Sequence, residues 1–294
     1  MKQMSLVSLT RKSIGVSRSA PMTFNHVIDC PQPTHHKLHL HDYLELFFYV
    51  SGDADFILDD TYLHLHPGDV IVAPENVLHR PIIKSEAVYE RFYIGLPSGA
   101  FSYMDGVPSP LSFARAGEFV IRPDAQGRER ILRYLYAMES MIQERESGAS
   151  EGDNTVRIYA ELLRLLHTLG KVAEGAILSR EEQRLESDLP SLISRALPYV
   201  DDHIAELGSV EELAERLGVT PSYLSDLFSR SMKVPLKQYM TTKKIALAKS
   251  LLSAGESVTD TAFACGFCTV SHFIVVFKRV TGTTPSSYQR RVRE

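Results

Sequence analysis

"CTVSHFIVVFKRVTGTTP", residues 268–285, decides how the chain is read. Its middle, Phe273-Ile274-Val275-Val276-Phe277, is too apolar for an ordinary surface helix, yet it runs into Lys278-Arg279 and a tail ending Arg290-Arg291-Val292-Arg293. At helical spacing Phe273, Val276 and Phe277 suit a core. Thr269, Val270, Ser271, His272 and Val275 are then left to touch something else.

The stretch has an earlier copy. "SVEELAERLG" (209–218) and "SVTDTAFACG" (257–266) share Ser, Val, a carboxylate at the fourth position, Ala at the sixth and Gly at the tenth. Ser-x-x-Glu/Asp is a capping box or its Asp version, and the Gly is a helix stop, so each repeat predicts a short capped helix and a tight turn. After the first turn, Thr220-Pro221 supplies an N-cap and a Pro at the first helical position, opening "SYLSDLFSRS". Two short helices joined by a glycine turn form a helix-turn-helix, and this chain has two. Between them, Leu236, Tyr239, Met240, Ile245, Ala248, Leu251 and Leu252 predict a linking helix.

With these residues in place, the sequence resembles the AraC/XylS family of bacterial transcription regulators. The second-motif signature of that family is matched by Gly266-Phe267, Ser271, Phe273, Phe277-Lys278, Gly282, Thr284-Pro285 and Tyr288. The resemblance implies two recognition helices in successive major-groove segments of double-stranded DNA, about 34 Å apart. It also implies RNA polymerase as a further partner. The departures concern specificity. Asp226 and Val275 stand where the family often has arginine, the usual reader of guanine. Val275 and Ile274 can instead contact thymine methyl groups and Asp226 can accept from cytosine or repel a phosphate, or these positions face solvent beside the DNA. Lys233 replaces a usual turn glycine, and Lys244 a common arginine. The DNA-facing candidates in the first motif are Ser222, Tyr223, Ser225 and Asp226. The phosphate-contact candidates are Lys243, Lys244, Lys278, Arg279, Arg290 and Arg291.

Charge agrees with this placement. Net charge is −4 over 294 residues, but residues 190–294 hold 13 basic and 10 acidic side chains, and 230–293 hold 11 against 2. A basic third on an acidic chain is a footprint for a polyanion.

Working toward the N-terminus, "SREEQRLESDLP" is polar and reads as part of a linker (176–189). Before it, apolar residues at helical spacing (Ile131, Leu135, Met138, Ile142, then Ile158, Leu162, Leu165, Leu166, Leu169) predict an antiparallel helix pair over 123–175. Its stripes are wide enough to cover a barrel and to meet a second copy, so a homodimer is expected. Residues 24–122 carry short β-rich runs ("LELFFYV", "ADFILD", "TYLHL", "DVIVA", "VYERFYIGL") broken by turn residues, the pattern of an antiparallel sandwich or small barrel. Residues 1–23 form an N-terminal arm without an apolar run long enough for a signal peptide or a membrane span, so a cytoplasmic protein is expected. The fold class is α+β and multidomain: a barrel, a helical pair and an all-α double helix-turn-helix domain at 190–294.

Within the barrel, His39-x-His41-x-x-x-Glu45 with Gly52, and Gly68, Pro74 and His79, resemble the two cupin motifs, with Asn76 where the second usually has glycine. In a strand His39, His41, Glu45 and Phe47 share parity and face one side. Three imidazoles and a carboxylate there could take a divalent transition metal, although none is required. The first reading is a small-molecule effector, a sugar or related metabolite, bound through some of His39, His41, Glu45, His79, Tyr93 and Arg91. Only one of Arg91 and Tyr93 is expected to point inward, and His35 and His36 are expected at the surface. The alternatives are a metal-dependent cupin enzyme of dioxygenase or isomerase type, or a metal sensor. Cys265-Gly-Phe-Cys268 imitates a redox or zinc motif but lies in a helix-turn-helix turn without a second Cys pair, so a buried residue plus a turn thiol is the better reading. The third cysteine, Cys30, leaves no disulfide framework, and no phosphate loop or nucleophile elbow appears.

Overall fold

A computed structural model describes residues 12–15, 21–29, 38–97, 100, 101, 111, 113, 114, 119–146, 151–179, 182 and 189–293. Most of the N-terminal arm and of the linker, and Cys30, His35 and His36, lie outside the described residues.

Among the described residues, nine strands form two antiparallel sheets: β1 (Lys12–Gly15), β2 (Pro21–Asp29), β3 (Tyr43–Ser51), β4 (Ala54–Leu58), β5 (Thr61–His64), β6 (Val70–Ala73), β7 (His79–Ile83), β8 (Tyr89–Pro97) and β9 (Phe119–Ile121). The larger sheet runs β1-β2-β8-β3-β6-β9 and the smaller β5-β4-β7. The sequence pattern misses β1, β2, β7 and β9. "HRPII" carries a proline and a histidine that disguise a strand, and "FVI" is only three residues long.

The near-continuous apolar runs of β3 and β6 follow from cover on both faces. Phe47, Tyr49 and Ile71 point between the sheets, packed with Phe56, Leu58, Leu63 and Ile83. Their neighbours Leu46, Phe48, Val70 and Val72 point the other way, beneath two helices, α1 (Ala125–Glu146) and α2 (Glu151–Ala176). Ile131, Leu135, Met138, Ile142, Ile158, Leu162, Leu165, Leu166 and Leu169 are all buried in that layer. The helix stripes are thus used against the barrel. Of the large apolar residues on α1 and α2, Tyr136 and Val156 stay exposed.

From Ser191 on, seven helices follow among the described residues: α3 (Ser191–His203), α4 (Val210–Leu217), α5 (Pro221–Met232), α6 (Leu236–Ser253), α7 (Val258–Ala264), α8 (Val270–Thr281) and α9 (Pro285–Arg293). The capping residues act as the sequence suggests. Ser209, Thr220, Ser257 and Thr269 each accept a backbone N–H three residues on, and Gly218 and Gly282 end α4 and α8 in the left-handed conformation. Lys233 ends α5 at φ +51°, doing the work of a turn glycine at some conformational cost. Two cores result. Leu213, Leu217, Leu224, Phe228 and Tyr239 pack around α4–α5, and Phe273, Val276 and Phe277 pack with Ile245, Leu252, Ala262 and Tyr288 around α7–α8.

Candidate functional site: two recognition helices and a cupin pocket

Helices α5 and α8 hold their units by Leu224, Phe228 and Met232 on one side and by Phe273, Val276 and Phe277 on the other. What remains outward is a mixed set of small, aromatic and apolar side chains. Tyr223 is 51% and Val275 65% exposed, with Ser222, Asp226, Ser271 and His272 also exposed and Ser225 and Val270 half-buried. Thr269 is exposed, but its hydroxyl is committed to capping α8 by accepting the His272 N–H at 3.2 Å. Asp226 is paired with Arg230 one turn later, so each offsets the other's charge at the surface.

The phosphate candidates divide. Lys278, Arg279 and Arg290 are exposed. Lys243 is instead buried, 6% exposed, with its ammonium between Asp59 of the barrel, at 2.6 Å, and Asp201 of α3. Burial lowers its pKa, but the two carboxylates outweigh this and raise it. Lys244 is also buried and donates to the Gly266 carbonyl at 3.2 Å, while burial depresses its pKa. In this arrangement neither lysine reaches a phosphate. Both belong to the interior because α6 is enclosed by α3, α8 and the barrel. Arg291 is exposed but bound to Asp42 at 2.6 Å.

Cys265 is buried at the end of α7, where burial raises its thiol pKa to about 11, and Cys268 is exposed. A thiol held protonated in an apolar site makes a poor metal or redox ligand.

In the barrel, a cavity of about 380 Å³ is lined by His39, Tyr43, Glu45, Phe47, Phe56, His79, Pro81, Arg91 and Tyr93. Arg91 and Tyr93 both line it. They are two apart on β8 and so share a face, which corrects the expectation that only one would point inward. Tyr43, Phe56 and Pro81 were not singled out from sequence, although Tyr43 shares the parity of Glu45 and Phe47.

His39, His41 and His79 each bring a ring nitrogen to within 4.8 Å of the others. The His41 and His79 Nδ1–H groups donate to the carbonyls of Tyr43 and Val77 at 2.8 and 2.9 Å, which fixes the orientation of both rings. Their Nε2 atoms are buried and lie 3.3 and 3.5 Å from the Glu45 carboxylate without aligned hydrogen bonds. Burial pushes the Glu45 carboxyl up, but the two imidazoles more than offset this and hold it well below the usual carboxylate range. Imidazoles anchored through Nδ1, with Nε2 turned to a shared point beside a carboxylate, fit a divalent transition metal. His39, Glu45 and His79, which line the cavity with Arg91 and Tyr93, fit a small polar molecule, whereas His41 stands behind the lining against Glu45 and Tyr43.

Residues 213–291 match a family model described as a helix-turn-helix domain, and residues 27–92 one described as a cupin domain. The arabinose operon regulatory protein of Salmonella typhimurium is 27% identical over 230 residues, 76% of this chain and 75% of that protein. The HTH-type transcriptional regulator YijO of Escherichia coli is 31% identical over 94 residues, 32% of this chain, and the match spans only 33% of that protein. Among solved structures, the C-terminal domain of AraT, a response regulator from Geobacillus stearothermophilus, is 28% identical, covering 36% of this chain and 88% of that one at a TM-score of 0.34. ToxT from Vibrio cholerae covers 94% of this chain and 99% of its own at 15% identity and a TM-score of 0.36. No helix among the described residues is long and apolar enough to cross a membrane. A doubled helix-turn-helix behind a cupin barrel, with both parts matched by family models and by a regulator of arabinose-operon type, supports an AraC family transcription regulator with a cupin domain.

Proposed function

We propose that the chain is a one-component regulator. It binds promoter DNA sequence-specifically through α5 and α8, and a small polar effector in the cupin pocket, of sugar-like or related chemistry, controls that binding. The observation that carries this is the outward face of the two recognition helices. Their phenylalanines are all used internally, yet Tyr223 on α5 and Ile274 and Val275 on α8 stay exposed on the outward faces. Exposed apolar groups beside Lys278 and Arg279 suit methyl-bearing A·T steps flanked by phosphate. A homodimer through α1 and α2 fits the exposure of Tyr136 and Val156 and would place two such units on one operator.

The test is selection of the full chain against random-sequence duplexes, followed by the same selection with Val275→Arg. The expected outcome is an enriched motif in which the variant gains a guanine, worth about 1–3 kcal/mol of discrimination at that step. Failure to enrich any duplex, or a wild-type motif that requires guanine opposite Val275, would refute the reading.

A second reading rests on the Nε2 atoms of His41 and His79, which share one carboxylate. It is a metal-dependent cupin enzyme or a metal sensor. If it holds, the purified protein contains stoichiometric transition metal. Metal with turnover of a small substrate favours the enzyme, and metal without turnover the sensor.

A further inference from the structure

The smaller sheet, β5-β4-β7, is a wall one strand thick. On β4, Phe56 faces the cupin cavity and its neighbour Ile57 packs outward into the core of the first helix-turn-helix unit. On β7, His79 and Pro81 face the cavity, while Ile82 joins that same outer core and Arg80 reaches to the carbonyls of Met232 and Lys233 at the end of α5. Strand alternation thus puts ligand contacts and recognition-helix contacts on opposite sides of the same five-residue strands. Beside them, in the turn between β4 and β5, Asp59 pairs with Lys243, and its carbonyl accepts the Tyr239 hydroxyl at 3.3 Å. Before β3, Asp42 pairs with Arg291. Carboxylates of the barrel therefore pair with two cations of the helical domain, exposed Arg291 and buried Lys243, the latter shared with Asp201 of α3.

We infer that this wall is the coupling element of the regulator. The docked arrangement restrains the first helix-turn-helix unit and shields cations from DNA, and occupancy of the cavity changes the strength of docking through β4 and β7. The inference rests on the effector-controlled reading above and deepens it by assigning the route. A side chain pushed on the cavity side must move the strand that carries Ile57, Arg80 and Ile82, because a strand transmits displacement to both its faces. For that displacement to act as a signal, an occupant must bind docked and undocked forms with different affinity.

Three variants of the intact chain test it, each first checked for retained ellipticity. Ile82→Lys places a charge in the outer core without entering the barrel interior. Asp59→Asn keeps a residue that tolerates the left-handed backbone found there, φ +53°, and removes only the charge facing Lys243. Phe56→Trp crowds the cavity side of β4 as a permanent occupant, with no ligand needed. DNA affinity is measured on duplexes retained from a random pool, and backbone hydrogen exchange is followed on β4, β7, α5 and α6.

If docking is populated about nine to one, Ile82→Lys tightens DNA binding about tenfold. The salt dependence steepens by about 0.9 for each cation released. Asp59→Asn moves both in the same direction, and Phe56→Trp alters exchange on α5 and α6 across the wall. Unchanged affinity and exchange in folded Ile82→Lys and Asp59→Asn overturn the docking restraint. Exchange confined to the cavity side in Phe56→Trp overturns the relay. If neither wild type nor any variant retains a duplex, the DNA-binding reading itself fails, while the exchange data still decide the docking.

Discussion

Two glycines at matching places in the repeated motif should respond very differently to the same substitution. Gly218 and Gly266 both sit at positive φ, +72° and +69°. An alanine at either site pays about 1–2 kcal/mol for the left-handed backbone, less about 0.4–1 kcal/mol recovered from a stiffer unfolded chain. For Gly218 that is the whole effect, since a Cβ there meets nothing within 4 Å. At Gly266 the Cβ would stand 2.4 Å from the carbonyl oxygen of Ala205 and 2.9 Å from Lys244 Nζ. The lysine can swing away, but the carbonyl is backbone and must be displaced. Overpacking of this kind costs about 1–3 kcal/mol more. Gly218→Ala should therefore lose about 1 kcal/mol and Gly266→Ala about 2–4 kcal/mol. The chain has no tryptophan, so urea unfolding of the full chain is followed by far-UV ellipticity, to which the helical domain contributes strongly. Equal losses for the two variants would refute the close approach of the second turn to the segment after α3.

Three further outcomes are expected. Lys278→Ala should weaken binding to all DNA sequences alike and reduce the salt slope by about 0.9, and a changed sequence preference at constant slope would count against a phosphate contact. In a Cys30→Ser background, thiol titration of the native chain should find Cys268 reactive and Cys265 silent until unfolding, because burial holds the Cys265 thiol protonated to about pH 11; two fast thiols would contradict this. Finally, the Glu45 carboxyl is depressed in the folded state, so its contribution is complete above the unfolded value of about 4.3 and is lost as pH falls toward the folded one. The stability advantage of wild type over Glu45→Gln should thus shrink on acidification, and a gap that widens below that value would show the sign to be wrong.

The helical domain is open to reading from its sequence because its information is local. A Ser or Thr at an N-cap and a Gly past a helix end each declare themselves within four residues, and the repeat declares them twice. The cupin cluster was legible because His39, His41 and Glu45 lie within seven residues, although only Glu45 sits in β3 and His39 joins the cluster through an isolated bridge to His79. Lys243 and Lys244 were not legible. On a helix of ordinary composition they look like surface cations, and only the arrival of Asp59 from 184 residues away in the chain turns one of them into a buried ion pair. Ile57 and Ile82 give no sign either, because an isoleucine in a strand looks the same whether a helix or another sheet covers it. The Arg91 and Tyr93 pair was misjudged although the information was present, since spacing of two always means one face.

Helix α6 has a consequence for the operator. Its 18 residues extend about 27 Å, and its side chains are buried on several sides, including Leu236, Tyr239, Lys243, Ile245, Ala248 and Leu252. A continuous helix packed on several of its faces makes a poor hinge, so the two helix-turn-helix units should keep one separation and one phase. The regulator should therefore be intolerant of length changes in its target. A single base pair inserted between the two contacted segments would turn the second away from α8 by about a tenth of a helical turn and should be felt as strongly as a lost base contact.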